Sequence, residues 1–126
     1  MVGASDRPGR DSGRVMRFLQ DRGYRVIPVN PGLAGRRLHG EPVHGCLAEI
    51  ETRVDLVDVF RRADAVDSIV DQAIAIGAPA LWLQLGVVNE GAAARARAAG
   101  LDVVMDRCPA IEIPRLEREA GGPIRR

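Results

Sequence analysis

Short apolar runs alternate with helical patterns along most of the chain. The runs lie at residues 24–29, 54–60, 80–86 and 102–106, and they are rich in Val, Leu and Ile. Such alternation is typical of a parallel sheet whose strands are connected by helices. We therefore predict an α/β protein.

Three helices are expected, one before the first run and two between later runs. Apolar residues recur at spacings of three and four in the first two, and the third is Ala-rich. The first lies between the opening turn and residue 23, with Asp11 or Ser12 as its N-terminal cap. The second has an apolar stripe within residues 66–74. The third follows Asn89, which is a favourable N-cap residue.

The remaining segments are predicted to be irregular. Residues 30–46 contain many Gly and Pro, which favours a long loop. The C-terminal end is polar, so we expect a disordered tail over residues 117–126. A chain of 126 residues has the size of one domain, which we place at residues 1–116.

Composition excludes some classes of partner. A formal net charge of +1, with 28% charged residues, provides no strong field for nucleic acid or an acidic membrane. All 18 basic residues are Arg, which suits phosphate recognition but also follows from a GC-rich genome. Two cysteines are too few for a disulfide framework, and neither a signal peptide nor a membrane span is evident. These features predict a cytoplasmic protein.

The opening segment GASDRPGRDSG is the strongest candidate for a binding site. Gly3 allows a close turn, and the amides at the start of the first helix offer an anion site that suits a diphosphate. The spacing is not G-x-G-x-x-G, and Asn30 stands where an NAD site has an acidic residue. His39, His44 and Cys46 match no zinc pattern, so we expect no metal.

Five co-linear motifs carry a family resemblance. VGASDRPGR, GYRVIPVNP, VDVFRR, WLQLGV and MDRCPAIE together resemble the small stand-alone CoA-binding proteins of bacteria and archaea. These are similar in fold to the N-terminal CoA-binding domain of the succinyl-CoA synthetase α subunit. The resemblance implies a Rossmann-like, three-layer domain with a parallel sheet of about five strands that binds coenzyme A and has no established catalytic activity.

The first strand of such a sheet would be unusually short here. Only Met1 and Val2 precede the glycine turn, whereas strands normally have about five residues. In the strand order 3-2-1-4-5, this segment would lie between residues 24–29 and 80–86. We therefore expect the first strand to be truncated and the functional protein to begin upstream of Met1.

The resemblance also implies a set of ligand-binding residues on the loops that follow the strands. They are Gly3, Ala4, Ser5, Pro8 and Arg10 at the diphosphate, Val29, Asn30 and Pro31 on the nucleotide side, Phe60 and Arg61 beside the adenosine, and Gln84 and Gly86 toward the pantetheine arm. No catalytic residue is implied.

The predicted function is binding of coenzyme A or an acyl-CoA without catalysis. One alternative is an NADP-binding oxidoreductase fragment with Arg36 and Arg37 on the 2′-phosphate. Another is a structural partner that has lost its ligand. Cys108 either ends the last strand as a half-buried residue or forms a mixed disulfide with bound coenzyme A. The sequence is also compatible with a homo-oligomer.

Overall fold

A parallel β-sheet with helices on both faces forms the body of the protein in the computed structural model, which describes residues 1–126. Its regular part has three strands in the order β3-β4-β5. They are β3 (Val57–Val59), β4 (Ala80–Leu83) and β5 (Asp102–Val104). The predicted α/β class is thus confirmed, and three of the predicted apolar runs contain these strands.

The sheet continues beyond β3 through single residues. Val2 forms parallel bridges to both Val59 and Val29, and Val29 in turn bridges His44. The amide of Val2 donates to the carbonyl oxygen of Asp58 at 2.8 Å, and the amide of Gly3 donates to that of Val29 at 2.9 Å. The expected short first strand therefore lies inside the sheet.

The expected strand order was wrong in one respect. The structure places β3, and not β4, beside Val2. Val57, Asp58 and Val59 are all buried, which is the pattern of a strand covered on both faces and flanked by neighbours. From one edge to the other, the parallel segments are therefore His44, Val29, Val2, β3, β4 and β5. If the Val2 segment is counted as the first strand and the Val29 segment as the second, the order is 2-1-3-4-5, the other common order of doubly wound folds.

Four helices cover the sheet. They are α1 (Asp11–Asp21), α2 (Val66–Ala75), α3 (Glu90–Ala98) and α4 (Pro109–Ala120). Helices α2 and α3 contact each other on one face, and α1 contacts α4 on the other. Oδ1 of Asn89 accepts from the amide of Ala92 at 3.0 Å, so the predicted cap of α3 is confirmed. None of the four combines the length and apolar character that a membrane span needs.

Helix α1 begins differently from the prediction. Its N-cap residue is Arg10, and no side chain caps its first turn. Asp11 is the first helical residue, and Oγ of Ser12 accepts instead from the amide of Ser5 at 3.0 Å. The predicted caps were wrong because a contact with the preceding loop uses the Ser12 hydroxyl.

The segment predicted as an irregular loop contains a hairpin. Strands β1 (Arg37–Leu38) and β2 (Glu41–Pro42) pair antiparallel. The two residues between them, His39 and Gly40, have positive φ angles of 48° and 82°. Two consecutive left-handed residues form the turn that suits a two-residue hairpin.

Helix α4 was not predicted. Pro109 occupies its first turn, where proline is favourable, and Gly121 ends it with φ at 76°. Glu117 in the last turns pairs at 2.7 Å with Arg22, the C-cap residue of α1. The disordered tail expected over 117–126 was therefore wrong for residues 117–120, which are helical.

Candidate ligand-binding cleft

A cleft of about 900 Å³ opens where the parallel segments of the sheet end. Its walls come from the residues after Val2, after Val29, after β3 and after β4, and from the first turns of α1 and α4. Ligands of open α/β sheets bind at this edge, in the crevice outside the carboxyl ends of the strands.

Gly3 begins the wall nearest α1, in a conformation that only glycine fits. Its φ is 84°, and a Cβ atom at this position would overlap the carbonyl oxygen of Phe60. The same Cβ would lie 3.0 Å from Cδ of Arg61, so the Arg61 side chain passes beside the turn. The missing side chain therefore lets two loops of the cleft approach each other closely.

Hydrogen bonds hold the loop after Gly3 in place. The Asn30 amide group donates to the carbonyl oxygen of Ala4 at 2.8 Å, while its Oδ1 accepts from the amide of Gly32 at 2.8 Å. Oγ of Ser5 accepts from the amide of Arg7 at 3.1 Å. Since no side chain caps the first turn of α1, its amides stay available to an anion in the cleft.

The cleft lining is cationic. Five arginines and two aspartates line it, a formal balance of +3. Arg14 lies 3.6 Å from Asp11, and Arg62 lies 3.6 Å from Asp64. The other three arginines, which are Arg7, Arg10 and Arg61, have no acidic side chain within ion-pair distance. These unpaired guanidinium groups are suited to phosphate oxygens.

Gln84, at the end of β4, is a buried polar residue without a full set of partners. Its side chain is 4% exposed, and its Oε1 has no hydrogen-bond donor. Two residues further along, Gly86 has a φ of 85°, and its amide donates to Oδ1 of Asp106 at 2.7 Å. This bond joins the loop after β4 to the loop after β5.

Apolar residues line the part of the cleft formed by these two loops. Leu85 and Val87 follow β4, and Ile111 lies in the first turn of α4. Cys108, the N-cap residue of α4, also lines the cleft and is a buried free thiol.

Asp58 is a second buried polar group, in the middle of β3. No side chain donates a hydrogen bond to either carboxylate oxygen. Desolvation raises the pKa of Asp58 to about 7, partly offset by the charge of the buried Met1 amine. Because side chains alternate along a strand, Asp58 faces the side of the sheet opposite to Val57 and Val59, which pack with α2 and α3.

Most of the residues implied by the resemblance meet in the cleft. Eight of them line it, namely Gly3, Ser5, Arg10, Asn30, Phe60, Arg61, Gln84 and Gly86. The other four do not: Ala4 and Val29 are buried beneath it, and Pro8 and Pro31 are exposed outside its lining. Sequence reasoning missed Arg14, although its spacing of four from Arg10 puts both near one helix face.

The arginines of the NADP alternative lie beside the main cleft, not in its lining. Arg36 and Arg37 line an adjoining hollow of about 250 Å³, which shares Asp6 and Leu33 with the cleft. Arg36 lies 3.9 Å from Asp6, and Arg37 donates to the carbonyl oxygen of Gly40 at 3.1 Å. No group of three or more His, Cys, Asp or Glu side chains is arranged to hold a metal ion.

Similar proteins share both sequence and fold with this chain. The protein YneT of Bacillus subtilis, described as uncharacterized, is 39% identical over 108 residues, which are 86% of this chain and 78% of YneT. The Thermus thermophilus protein cell-free ID.343 has a TM-score of 0.88 and 36% identity, over 91% of this chain and 86% of that one.

A larger enzyme contains the same fold. Acetyl-coenzyme A synthetase 1 of Ca. Korarchaeum cryptofilum aligns with 83% of this chain, using 25% of its own length, at a TM-score of 0.71 and 21% identity. The predicted Rossmann-like fold is thus confirmed. The model of a family described as CoA binding domain matches residues 1–114. Because that match covers nearly the whole chain, the protein belongs to the CoA binding domain family.

Proposed function

We propose that the protein binds coenzyme A or an acyl-CoA in the cleft and has no catalytic activity of its own. Membership of the CoA binding domain family supports the ligand class. The cleft volume of about 900 Å³ is near the upper end of ordinary ligand pockets, as a large cofactor requires. The observation that carries the proposal is the Gly3 turn beside Arg61 and the uncapped start of α1.

The diphosphate of coenzyme A fits the cationic wall of the cleft. A ligand phosphate beside Gly3 would meet backbone amides of the first turn of α1 rather than a side chain. Arg10 and Arg61 supply two separate cations without acidic partners, so one can bind the diphosphate and the other the 3′-phosphate.

The pantetheine arm fits the wall that contains Gln84. Oε1 of Gln84 lacks a donor, and the arm carries two amide N–H groups. A hydrogen bond from one of them would satisfy a carbonyl that is otherwise buried without a partner. Gly86, in the next turn, leaves room for the arm because it has no side chain.

The absence of catalysis is supported by how the polar residues of the cleft are used. Neither His39 nor His44 lines it. The hydroxyls of Ser5 and Ser12 accept hydrogen bonds from backbone amides of the same loop. Arg36 and Arg37 do not line the cleft and already contact Asp6 and Gly40, which weighs against the NADP alternative.

Isothermal titration calorimetry with coenzyme A, dephospho-coenzyme A and NADPH tests the proposal. Coenzyme A should bind, and Arg10→Ala or Arg61→Ala should weaken its binding by about 1.5 to 3 kcal/mol, or roughly 10- to 150-fold. Arg118→Ala is the matched control, since Arg118 is exposed in the last turn of α4 and lies outside the cleft.

One result would reject the proposed ligand, and a second would reject the assigned contacts. Binding of NADPH without binding of coenzyme A would favour the oxidoreductase alternative. Coenzyme A affinity that is unchanged in both cleft variants would reject the assigned phosphate contacts. If dephospho-coenzyme A binds a variant and the parent protein equally well, the arginine replaced contacts the 3′-phosphate.

A further inference from the structure

The apolar part of the cleft presents large side chains to solvent. Leu85 is 59% exposed and Ile111 is 55% exposed, and both line the cleft together with Val87. Single exposed leucines are common on protein surfaces, but these residues belong to one concave surface. A bound apolar group in this part of the cleft would remove their area from water.

The apolar and cationic residues come from different loops. Leu85, Val87 and Ile111 belong to the loop after β4 and the start of α4. These two segments are neighbours because β4 pairs with β5 and because the Gly86 amide is bonded to Asp106. The arginines belong to the loop after Val2, to α1 and to the residues after β3. The cleft therefore suits a ligand with a phosphate-rich end and an apolar end.

Charged groups near the apolar residues already have partners. The Asp106 carboxylate accepts from the Gly86 amide at 2.7 Å, and Arg107 lies 3.4 Å from Glu112. Glu112 also pairs with Arg115 at 3.2 Å. The arginine of these two loops, Arg107, is therefore already paired, and the unpaired arginines of the cleft belong to the loops assigned to the phosphates.

We propose that Leu85, Val87 and Ile111 bind the hydrocarbon chain of an acyl-CoA, so that the preferred ligands are thioesters of apolar monocarboxylic acids. The inference rests on the proposed function, because it places the phosphates of the same ligand on the cationic wall. Gln84 lies at the end of β4, immediately before Leu85, where the pantetheine arm leads from the phosphates to the acyl chain.

The test compares coenzyme A, hexanoyl-CoA and succinyl-CoA by calorimetry. A fully buried methylene contributes about 0.8 kcal/mol, or roughly a fourfold gain in affinity. Because the apolar residues are partly open to solvent, we expect hexanoyl-CoA to bind at least about tenfold more tightly than coenzyme A. Succinyl-CoA should gain nothing, since its carboxylate would lose water without gaining a cation.

Variants assign the gain to the apolar residues. Leu85→Ser and Ile111→Ser should each reduce the ratio of hexanoyl-CoA to coenzyme A affinity at least about threefold. Ile74→Ser is the matched control, because Ile74 is 39% exposed on α2 and lies outside the cleft. Thermal melts of all three variants check that the fold is retained.

The outcomes separate this inference from the proposed function. Equal affinity for coenzyme A and hexanoyl-CoA would overturn the inference and leave the proposed function intact. Tighter binding of succinyl-CoA than of hexanoyl-CoA would also overturn it. An affinity ratio unchanged in both cleft variants would reject the assigned residues, and no binding of any CoA compound would reject both proposals.

Discussion

Replacing Gln84 by Met should make the protein more stable and its ligand binding weaker. Gln84 is 4% exposed, and its Oε1 has no hydrogen-bond donor in the protein. A buried polar group without a partner costs about 1 to 3 kcal/mol. Met is unbranched like Gln and brings no carbonyl, so Gln84→Met removes that penalty with little change of shape.

The expected gain is about 1 to 3 kcal/mol in the free energy of unfolding. For a domain of this size, each kcal/mol corresponds to a rise in melting temperature of roughly 3 to 5 °C. Coenzyme A should bind the variant roughly three- to tenfold more weakly, since a hydrogen bond between neutral groups contributes about 0.5 to 1.5 kcal/mol.

Urea unfolding gives the stability, and calorimetry gives the affinity. Gln72→Met is the matched control, because Gln72 lies on α2 outside the cleft and makes only a 3.4 Å hydrogen bond to Ser68. Its stability should hardly change. A Gln84→Met protein that is less stable than the parent would show that the buried carbonyl is not a penalty in the free protein. Unchanged affinity for coenzyme A would show that no ligand group bonds to the side-chain carbonyl of Gln84 in the parent protein.

Three further substitutions test other parts of the structure. Gly3→Ala should lower the free energy of unfolding by about 2 to 5 kcal/mol in urea titrations, because the added methyl group would overlap the carbonyl oxygen of Phe60 at a strained φ. A loss below about 1 kcal/mol would contradict the turn geometry. Burial raises the pKa of Asp58 to about 7, so the stability provided by its folded-state proton is present below the ordinary Asp pKa and is lost as the pH rises through 7. The stability advantage of Asp58→Asn over the parent should therefore grow in urea titrations between pH 4 and pH 7, and a constant difference would refute the raised pKa. Gly13→Ala should increase the free energy of unfolding by about 0.5 to 1 kcal/mol and so raise the melting temperature, since Gly13 lies within α1 and a Cβ there would make only ordinary contact with His39. A lower melting temperature would contradict that geometry.

Helices α2 and α3 could be predicted because local signals and tertiary packing agree there. Four residues of the predicted apolar stripe of α2 are buried, namely Val66, Ile69, Val70 and Ala73, whereas the fifth, Ile74, is 39% exposed. Asn89 caps α3 through the side-chain oxygen that makes asparagine favourable at this position.

Features that depend on distant contacts were not predictable from local pattern. Ser12 does not cap α1, because its hydroxyl is bonded to the amide of Ser5 in the preceding loop. The β1–β2 hairpin contains His39 at a positive φ, a conformation that few residues other than Gly, Asn and Asp adopt readily. The position of β3 beside Val2 depends on how the long connection after residue 30 crosses the sheet.

The residues of the cleft likewise divide into those that could be placed from the sequence and those that could not. Gly3 and Gln84 could be placed at strand ends from the chain itself, and both line the cleft. Leu85 and Ile111 carried no signal, because an exposed apolar residue cannot be distinguished from a core residue by composition alone. Their proximity follows from the pairing of β4 with β5.

Nuclear magnetic resonance titration with coenzyme A tests the central claim most directly, since it reports the ligand and its location together. We expect saturable shifts of the backbone amides of Gly3, Ser12, Arg61 and Gly86, which line the cleft. Amides of Gln72 and Ile74 on α2, which lie outside the cleft, should stay unchanged. Shifts confined to amides outside the cleft, or no shifts at millimolar coenzyme A, would contradict the claim that this cleft binds coenzyme A.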